Sequence, residues 1–430
     1  MNTTPTPTAA EVKQAAADFA IDSQQQTFAS AARAYVSKLR SGDLGAIPAV
    51  LAIGVLVAVF GSARTESFMS VRNLGNLLQQ AAPIMVISMA VSFVLLLGEI
   101  DLAAGFTAGV TAAVLATKLR AQWALFPTLL ACAVVAAALG LWTGFLVARV
   151  GIPSFVVTLA NFLSFQGILL LITKEGGTIG ITNKTVNAIE GDNLRPVLCW
   201  VGLVIAVIAF GVSLLAKQRN SHGTIPLSVV VVKVITLAVI GAVFVQLLSK
   251  NRAFEQAKKK LQGVPYAAPL VIILMLILTF VLTRTAYGRH LYAVGGNAEA
   301  ARRAGINVQG IRMSAFIICG FLAGIGGVFL ASRSNSVDPQ TGGNKTLLLA
   351  VGAAVIGGTS LFGGKGRMLN SLLGGLVLAL IENGLPLIGK AKPFGFKDID
   401  FSQSGVAFIV TGLVLLLAAS VDALSRKRTG

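Results

Sequence analysis

From residue 46 onward the chain is a series of long apolar runs broken by short polar segments. Twelve of these runs read as membrane-spanning helices, at roughly 46–62, 79–98, 102–117, 124–149, 154–173, 197–216, 227–248, 265–284, 314–333, 346–362, 368–388 and 403–421. A helical crossing of a bilayer core takes about 20 apolar residues. Two runs, 102–117 and 346–362, are short and rich in glycine, and each adjoins an irregular polar turn. The turns are Gly98-Glu99-Ile100-Asp101 and the stretch 357–366, Gly-Gly-Thr-Ser-Leu-Phe-Gly-Gly-Lys-Gly. Short, interrupted segments paired in two halves of a chain are the sequence sign of a repeated transporter fold with broken helices. The expected fold is all-α: a polytopic transmembrane helix bundle of about 10–12 helices, in two pseudo-repeat halves with short or broken helices.

Composition agrees with that pattern. Of 430 residues, 55% are hydrophobic and 12% charged, against roughly 25% charged in a soluble chain. The net charge of +18 would suggest nucleic acid in a soluble protein. Here no basic run is interleaved with aromatics as a single-strand binder needs, and basic residues gather in the cytoplasmic loops of membrane proteins. Cys132, Cys199 and Cys319 all sit inside apolar runs, and His222 and His290 are far apart in sequence. No metal site, disulfide frame, cofactor or catalytic constellation is expected, so the chain does not read as an enzyme.

The loops orient the bundle. An even number of crossings puts both ends on one side. Arg33, Lys38 and Arg40 before the first run, and Arg426, Lys427 and Arg428 after the last, assign that side to the cytoplasm. The connection 284–312 then lies inside and carries Arg284, Arg289, Arg302, Arg303 and Arg312 against Glu299 alone. The 249–264 loop falls outside yet holds Lys258, Lys259 and Lys260, and is the exception. Residues 1–44 are a polar tail without the apolar stretch of a signal peptide. Phe28, Ala32, Tyr35, Val36 and Leu39 recur there at helical spacing, which suits either a short helix on the inner membrane face or a disordered tail. The expected organisation is the tail 1–44, a permease domain 45–425 and a basic end 426–430.

Several polar groups interrupt the apolar pattern. Glu99 and Asp101 close a long apolar run. Carboxylates at membrane depth face a bundle interior or a pathway, and acids favour helix N-termini. The two are read as capping the helix near Leu102 and coupling conformations, or as touching substrate. Asn161 and Gln166 interrupt 154–173, and Glu382 and Asn383 interrupt 368–388. They bond neighbouring helices or line a path for a hydroxylated solute. The 357–366 stretch is not a phosphate-binding loop, which needs Gly, four residues, then Gly-Lys-Ser/Thr. Thr359 stands at the first position and Gly366 follows Lys365. In the loop 285–311, Asn297 is a good N-cap, residues 298–304 favour helix and Gly305 suits the stop, with Gly295 and Gly296 as a hinge at the entrance. A short helix in a cytoplasmic loop docks into a partner's groove or lies free on the surface.

Four motifs together are specific: 98–102 (Gly-Glu-Ile-Asp-Leu), 151–159 (Gly-Ile-Pro-Ser-Phe-Val-Val-Thr-Leu), 288–302 (Gly-Arg-His-Leu-Tyr-Ala-Val-Gly-Gly-Asn-Ala-Glu-Ala-Ala-Arg) and 357–366. In this order they resemble the monosaccharide permeases of ATP-binding-cassette (ABC) importers, over about residues 45–425. An extra apolar hairpin near 197–248 is similar to the extension of the xylose permeases. The resemblance implies a homodimer of permeases in the bacterial inner membrane, forming one path for D-xylose or a related sugar. It also implies a separate ATPase subunit docked on the cytoplasmic side and a periplasmic sugar-binding protein. The ATPase would be reached through the 285–311 loop, at Gly295, Gly296, Asn297, Glu299, Ala300, Arg302 and Gly305.

Overall fold

The computed structural model of the chain describes residues 47–174, 176–220, 227–253, 260–391 and 399–427. The polar tail 1–44, His222, Lys258, Lys259 and Arg428 lie outside the described residues. Among the described residues, each of the twelve expected runs is a helix of 13 residues or more. The helices are α1 (Ile47–Ala63), α2 (Val71–Leu95), α3 (Ala104–Arg120), α4 (Leu125–Phe145), α5 (Ser154–Ile172), a short α6 (Lys184–Gly191), α7 (Pro196–Asn220), α8 (Leu227–Leu248) and α9 (Ala267–Arg284). Then come the short α10 (Ala286–Gly296) and α11 (Ala298–Arg303), followed by α12 (Val308–Ser334), α13 (Asn344–Ile356), α14 (Met368–Ile388) and α15 (Ser404–Lys427). Eight are long and apolar enough to cross a membrane: α2, α4 with its π-helical continuation to Val150, α5, α7, α8, α9, α12 and α14. The rest of the described backbone is a one-turn helix at Thr65–Phe68 and loop with two-residue strand pairs, such as β1 (Ile179–Gly180) against β2 (Ser336–Val337).

The chain divides into two compact units. Among described residues the smaller is a hairpin of α7 and α8, in which Leu203 packs on Gly241. Its outward face is Val204, Ile205, Ile208, Val239 and Val243, all exposed, a surface suited to lipid. The larger unit holds the bundle.

In the bundle α2 and α12 are central. Every residue of α2 from Ala81 to Leu95 is buried. α12 packs on α2, α3 and α4. It approaches α4 where Gly320 meets Gly140 and Phe316 meets Gly144, since small residues let helix backbones draw close in lipid. Outward faces are apolar and exposed, with Phe126 and Val134 on α4, Leu163 and Leu171 on α5, and Leu276 and Phe280 on α9.

Two expectations need correction. First, the two short glycine-rich helices are not counterparts: α3 follows its polar turn, whereas α13 precedes its own. What does match is the turns. At the end of α2, Gly98 N–H donates to Leu95 O and Glu99 N–H to Val94 O. At the end of α13, Gly358 N–H donates to Val355 O and Thr359 N–H to Ala354 O. Both are Schellman stops, with the glycine at φ 76° and 101°, a conformation that other residues adopt only at a cost. α13 ends at Ile356 and not at 362 because of that stop. Its 13 residues span about 20 Å, short of a bilayer core of about 30 Å. The loop before it extends its path, laying Thr341 O and Gly342 O against Gly109 and Gly105 of α3. Irregular backbone at such depth has to be enclosed by protein.

Second, the 285–311 connection holds two helices. α10 was not expected. Thr285 Oγ1 caps it by accepting from Gly288 N–H at 3.3 Å, and Leu291 and Val294 are buried against the core. Gly295 and Gly296 form its last turn. Gly295 sits against Leu96 O and Gly364 N, where a Cβ would have no room.

Candidate functional site

The four sequence motifs meet at one end of the bundle. The turn after α2 and the turn after α13 lie against each other: Gly364 N–H donates to Leu96 O at 2.9 Å, and Gly98 faces Phe362 O. The end of α10 rests on both, with Gly295 beside Leu96 and Gly364. Tyr292 of α10 donates its hydroxyl to Gly366 O at 2.7 Å. The start of α5 completes the group. Ile100 N–H donates to Ser154 Oγ at 3.4 Å and Thr158 Oγ1 donates to Ile100 O at 3.2 Å. Segments more than 200 residues apart in sequence thus share backbone hydrogen bonds, as buried peptide groups require.

α11 stands beside this knot. Asn297 caps it as expected, its Oδ1 accepting from Ala300 N–H at 2.9 Å. Gly305 ends it at φ 82°, with Ile306 N–H donating to Ala301 O. Ala301 is buried and holds the helix to the bundle. The opposite face is open: Glu299 pairs with Arg302 at 3.1 Å and with Arg303 at 3.3 Å, all three largely exposed. Exposed pairs of this kind add about 0.2–1 kcal/mol. They keep α11 regular without covering it.

The remaining polar residues fall into separate groups. Asp101 is buried, with its Oδ1 accepting from Ala103 N–H at 2.9 Å in the turn ahead of α3, and the first turn of α3 itself carries no side-chain cap. Asn161 donates to Thr143 Oγ1 at 2.9 Å and accepts from Trp142 Nε1 at 3.3 Å, joining α5 to α4. Asn383 accepts from Asn73 at 2.8 Å and donates to Gln80 at 3.3 Å, joining α14 to α2. Glu382 binds Lys345 Nζ at 2.7 Å, joining α14 to α13. Gln166 is half-buried on α5, near an open cleft of about 810 Å³ lined by Gly167, Leu170, Leu171, Asp338 and Gln340. Glu99, Asp101 and the α11 residues therefore gather at one end, and the Asn161, Gln166 and Glu382–Asn383 groups lie apart from them. Sequence reasoning missed Lys345, Tyr292, Ser154, Thr158 and Cys319. The last four of these sit in motifs or runs whose local spacing carried no sign of their distant partners.

At the other end, α6 is fastened to α12 and α2. Ser332 Oγ accepts from Glu190 N–H at 3.0 Å and donates to Val186 O at 2.7 Å. Gln79 Nε2 donates to Glu190 O. Among the described residues no three His, Cys, Asp or Glu side chains are grouped to hold a metal ion.

Comparison with known proteins identifies the arrangement. A family model described as the permease component of the branched-chain amino acid transport system matches residues 73–419. The chain is 33% identical to a xylose transport system permease protein of Escherichia coli K12, over 91% of this chain and 95% of that protein. It is 32% identical to the corresponding protein of Haemophilus influenzae, over 91% and 99%. It is 29% identical to a ribose import permease protein of Escherichia coli K12, over 87% and 92%. No solved structure gives a significant match. The chain thus belongs to the permease family of ABC transport systems, as a multi-pass inner-membrane subunit and not an enzyme.

Proposed function

We propose that this subunit carries a monosaccharide, D-xylose or a related sugar, into the bacterial cell by alternating access, driven by a separate ATPase. The observation that carries the proposal is the meeting of the four motifs at one end of the bundle, with the exposed face of α11 presented beside them. That end takes the cytoplasmic side, because Arg284, Arg289, Arg302, Arg303 and Arg312 all belong to its connection. Both chain ends then lie in the cytoplasm. The ATPase subunit docks on α11 through Asn297, Glu299, Ala300, Arg302 and Gly305, with Gly295 and Gly296 fixing α10 beneath. Two copies of the chain form one path, and a periplasmic binding protein brings the sugar to the opposite end. Sugar choice follows the relatives: two are named for xylose, over nearly their full length, and a more distant one for ribose.

Glu382 gives little support to proton-coupled transport. Its partner Lys345 makes it one half of an interhelical ion pair, and a relay needs a chain of such groups. The test is uptake of labelled D-xylose into proteoliposomes that hold the permease, its ATPase and the binding protein. Accumulation should need ATP on the α11 side and should persist when an ionophore abolishes the proton gradient. Uptake that proceeds without ATP and collapses with the gradient would remove the proposal.

A further inference from the structure

Two acidic side chains of the turn between α2 and α3 reach the same helix. Glu99 Oε1 lies 3.4 Å from Arg312 Nε. Asp101 Oδ2 accepts from Cys319 Sγ at 3.4 Å. Arg312 and Cys319 are seven residues apart on α12, two turns along one face. Between the acids, Ile100 is held from the other side by Ser154 and Thr158 of α5. The turn is therefore strung between α12 and α5, with its acids toward α12 and its middle peptide toward α5.

The two contacts on α12 differ in kind. Asp101 is 4% exposed and both its oxygens are engaged, by Ala103 N–H and by the Cys319 thiol. Parting it from α12 would strand a buried polar group, which is costly. The side chains of Glu99 and Arg312 are 16% and 34% exposed, and Arg312 Nε makes no aligned hydrogen bond. Arg312 Nε itself is enclosed, but the rest of both side chains reaches solvent, so the charges can be rehydrated there when the pair parts. Arg312 lies near the start of α12, the helix that follows α11 in the chain. Ala304, Gly305 and Ile306 donate back to Ala300, Arg302 and Ala301, and Asn307 then caps α12 by accepting from Gly310 N–H at 2.9 Å. Nothing slack separates α11 from the first turn of α12.

We propose that Glu99–Arg312 is a breakable latch and Asp101–Cys319 its hinge. A displacement of α11 passes into the first turns of α12, opens the latch and turns about the hinge. The α2–α3 turn is thereby biased between two positions, and with it the helices that turn joins. Glu99 and Arg312 are positioning residues: they set how much of the α11 movement reaches the bundle. The inference rests on the importer reading above, and names the regulation of that same site.

The experiment uses the reconstituted complex and reads D-xylose moved per ATP hydrolysed. Glu99→Gln and Arg312→Gln should each lower that ratio by about ten-fold, in the range usual for coupling between two sites. ATP hydrolysis should continue and the melting temperature of the purified permease should not change. The swapped pair, Glu99→Arg with Arg312→Glu, should recover most of the ratio, which a loss of packing would not allow. A wild-type complex that couples normally, with single variants that couple equally well, would overturn the latch alone, as would a swapped pair no better than either single variant. A wild-type complex with no ATP-driven uptake would overturn the importer reading and the latch with it.

Discussion

Glu190 has both carboxylate oxygens buried without a hydrogen-bond partner, although its backbone is tied to Ser332 and Gln79. Burial pushes its acid from the ordinary 4.5 up to about 9, with Arg333 opposing the rise. The consequence for stability has a definite sign. Below pH 4.5 the group is protonated whether the chain is folded or not and adds no pH dependence. Between 4.5 and 9 the unfolded chain ionises it while the folded chain resists, so folding loses stability as pH rises. Glu190→Gln should therefore melt several degrees higher than wild type at pH 8 in detergent and at the same temperature near pH 4.5. An equal gain at both values would assign the effect to packing. Such a residue is invisible in sequence, where Glu190 is one more charge in a polar segment between apolar runs. The same holds for Cys319, read as a small apolar side chain and found donating to Asp101. A thiol looks alike in both roles until its neighbour 218 residues away is known. The caps were legible because they act over three or four residues: Asn297 and Gly305 needed no distant partner to be recognised.

Elements follow the same division between local and distant causes. The long helices were readable as apolar runs, since a membrane span must satisfy its own backbone and be oily throughout. Boundaries failed where tertiary contacts decided them. α2 begins at Val71 because Ser70 Oγ accepts from Asn73 N–H at 3.1 Å, eight residues before its apolar run starts. α10 has too short an apolar face to stand out, and Leu291 and Val294 are helical because the bundle buries them. α11 is the element on which transport should turn. Gly305→Pro cannot adopt φ 82° and would lose the Gly305 N–H bond to Arg302 O, so the helix end should unravel. The expected outcome is loss of D-xylose uptake from a protein that still inserts in the membrane and keeps its helical circular-dichroism spectrum. Normal uptake by that variant would separate α11 from the mechanism. Asn297→Ala, which removes only a cap of about 1 kcal/mol, should lower uptake without abolishing it.

At the scale of the whole molecule, the sequence pattern carried the all-α class and the four motifs, but not their assembly, and of the twelve expected crossings eight are helices long and apolar enough to span. Nothing in the spacing of residues 98, 154, 292 and 364 says that they touch. Their meeting depends on how the helices pack, with α12 and α13 on α2, α10 on α12 and α5 on α3, which is a property of the bundle. Once assembled, that end offers the features a driven subunit requires: a rigid backbone knot, an exposed short helix and a stiff link into the central helix. The account stands on where that end points. A single cysteine placed at Glu299 and treated with a membrane-impermeant maleimide measures it directly, against wild type, whose three cysteines are buried. Labelling should fail in intact spheroplasts and proceed in inverted vesicles. Labelling of intact spheroplasts would place α11 outside the cell, where no ATPase could reach it, and would contradict the account.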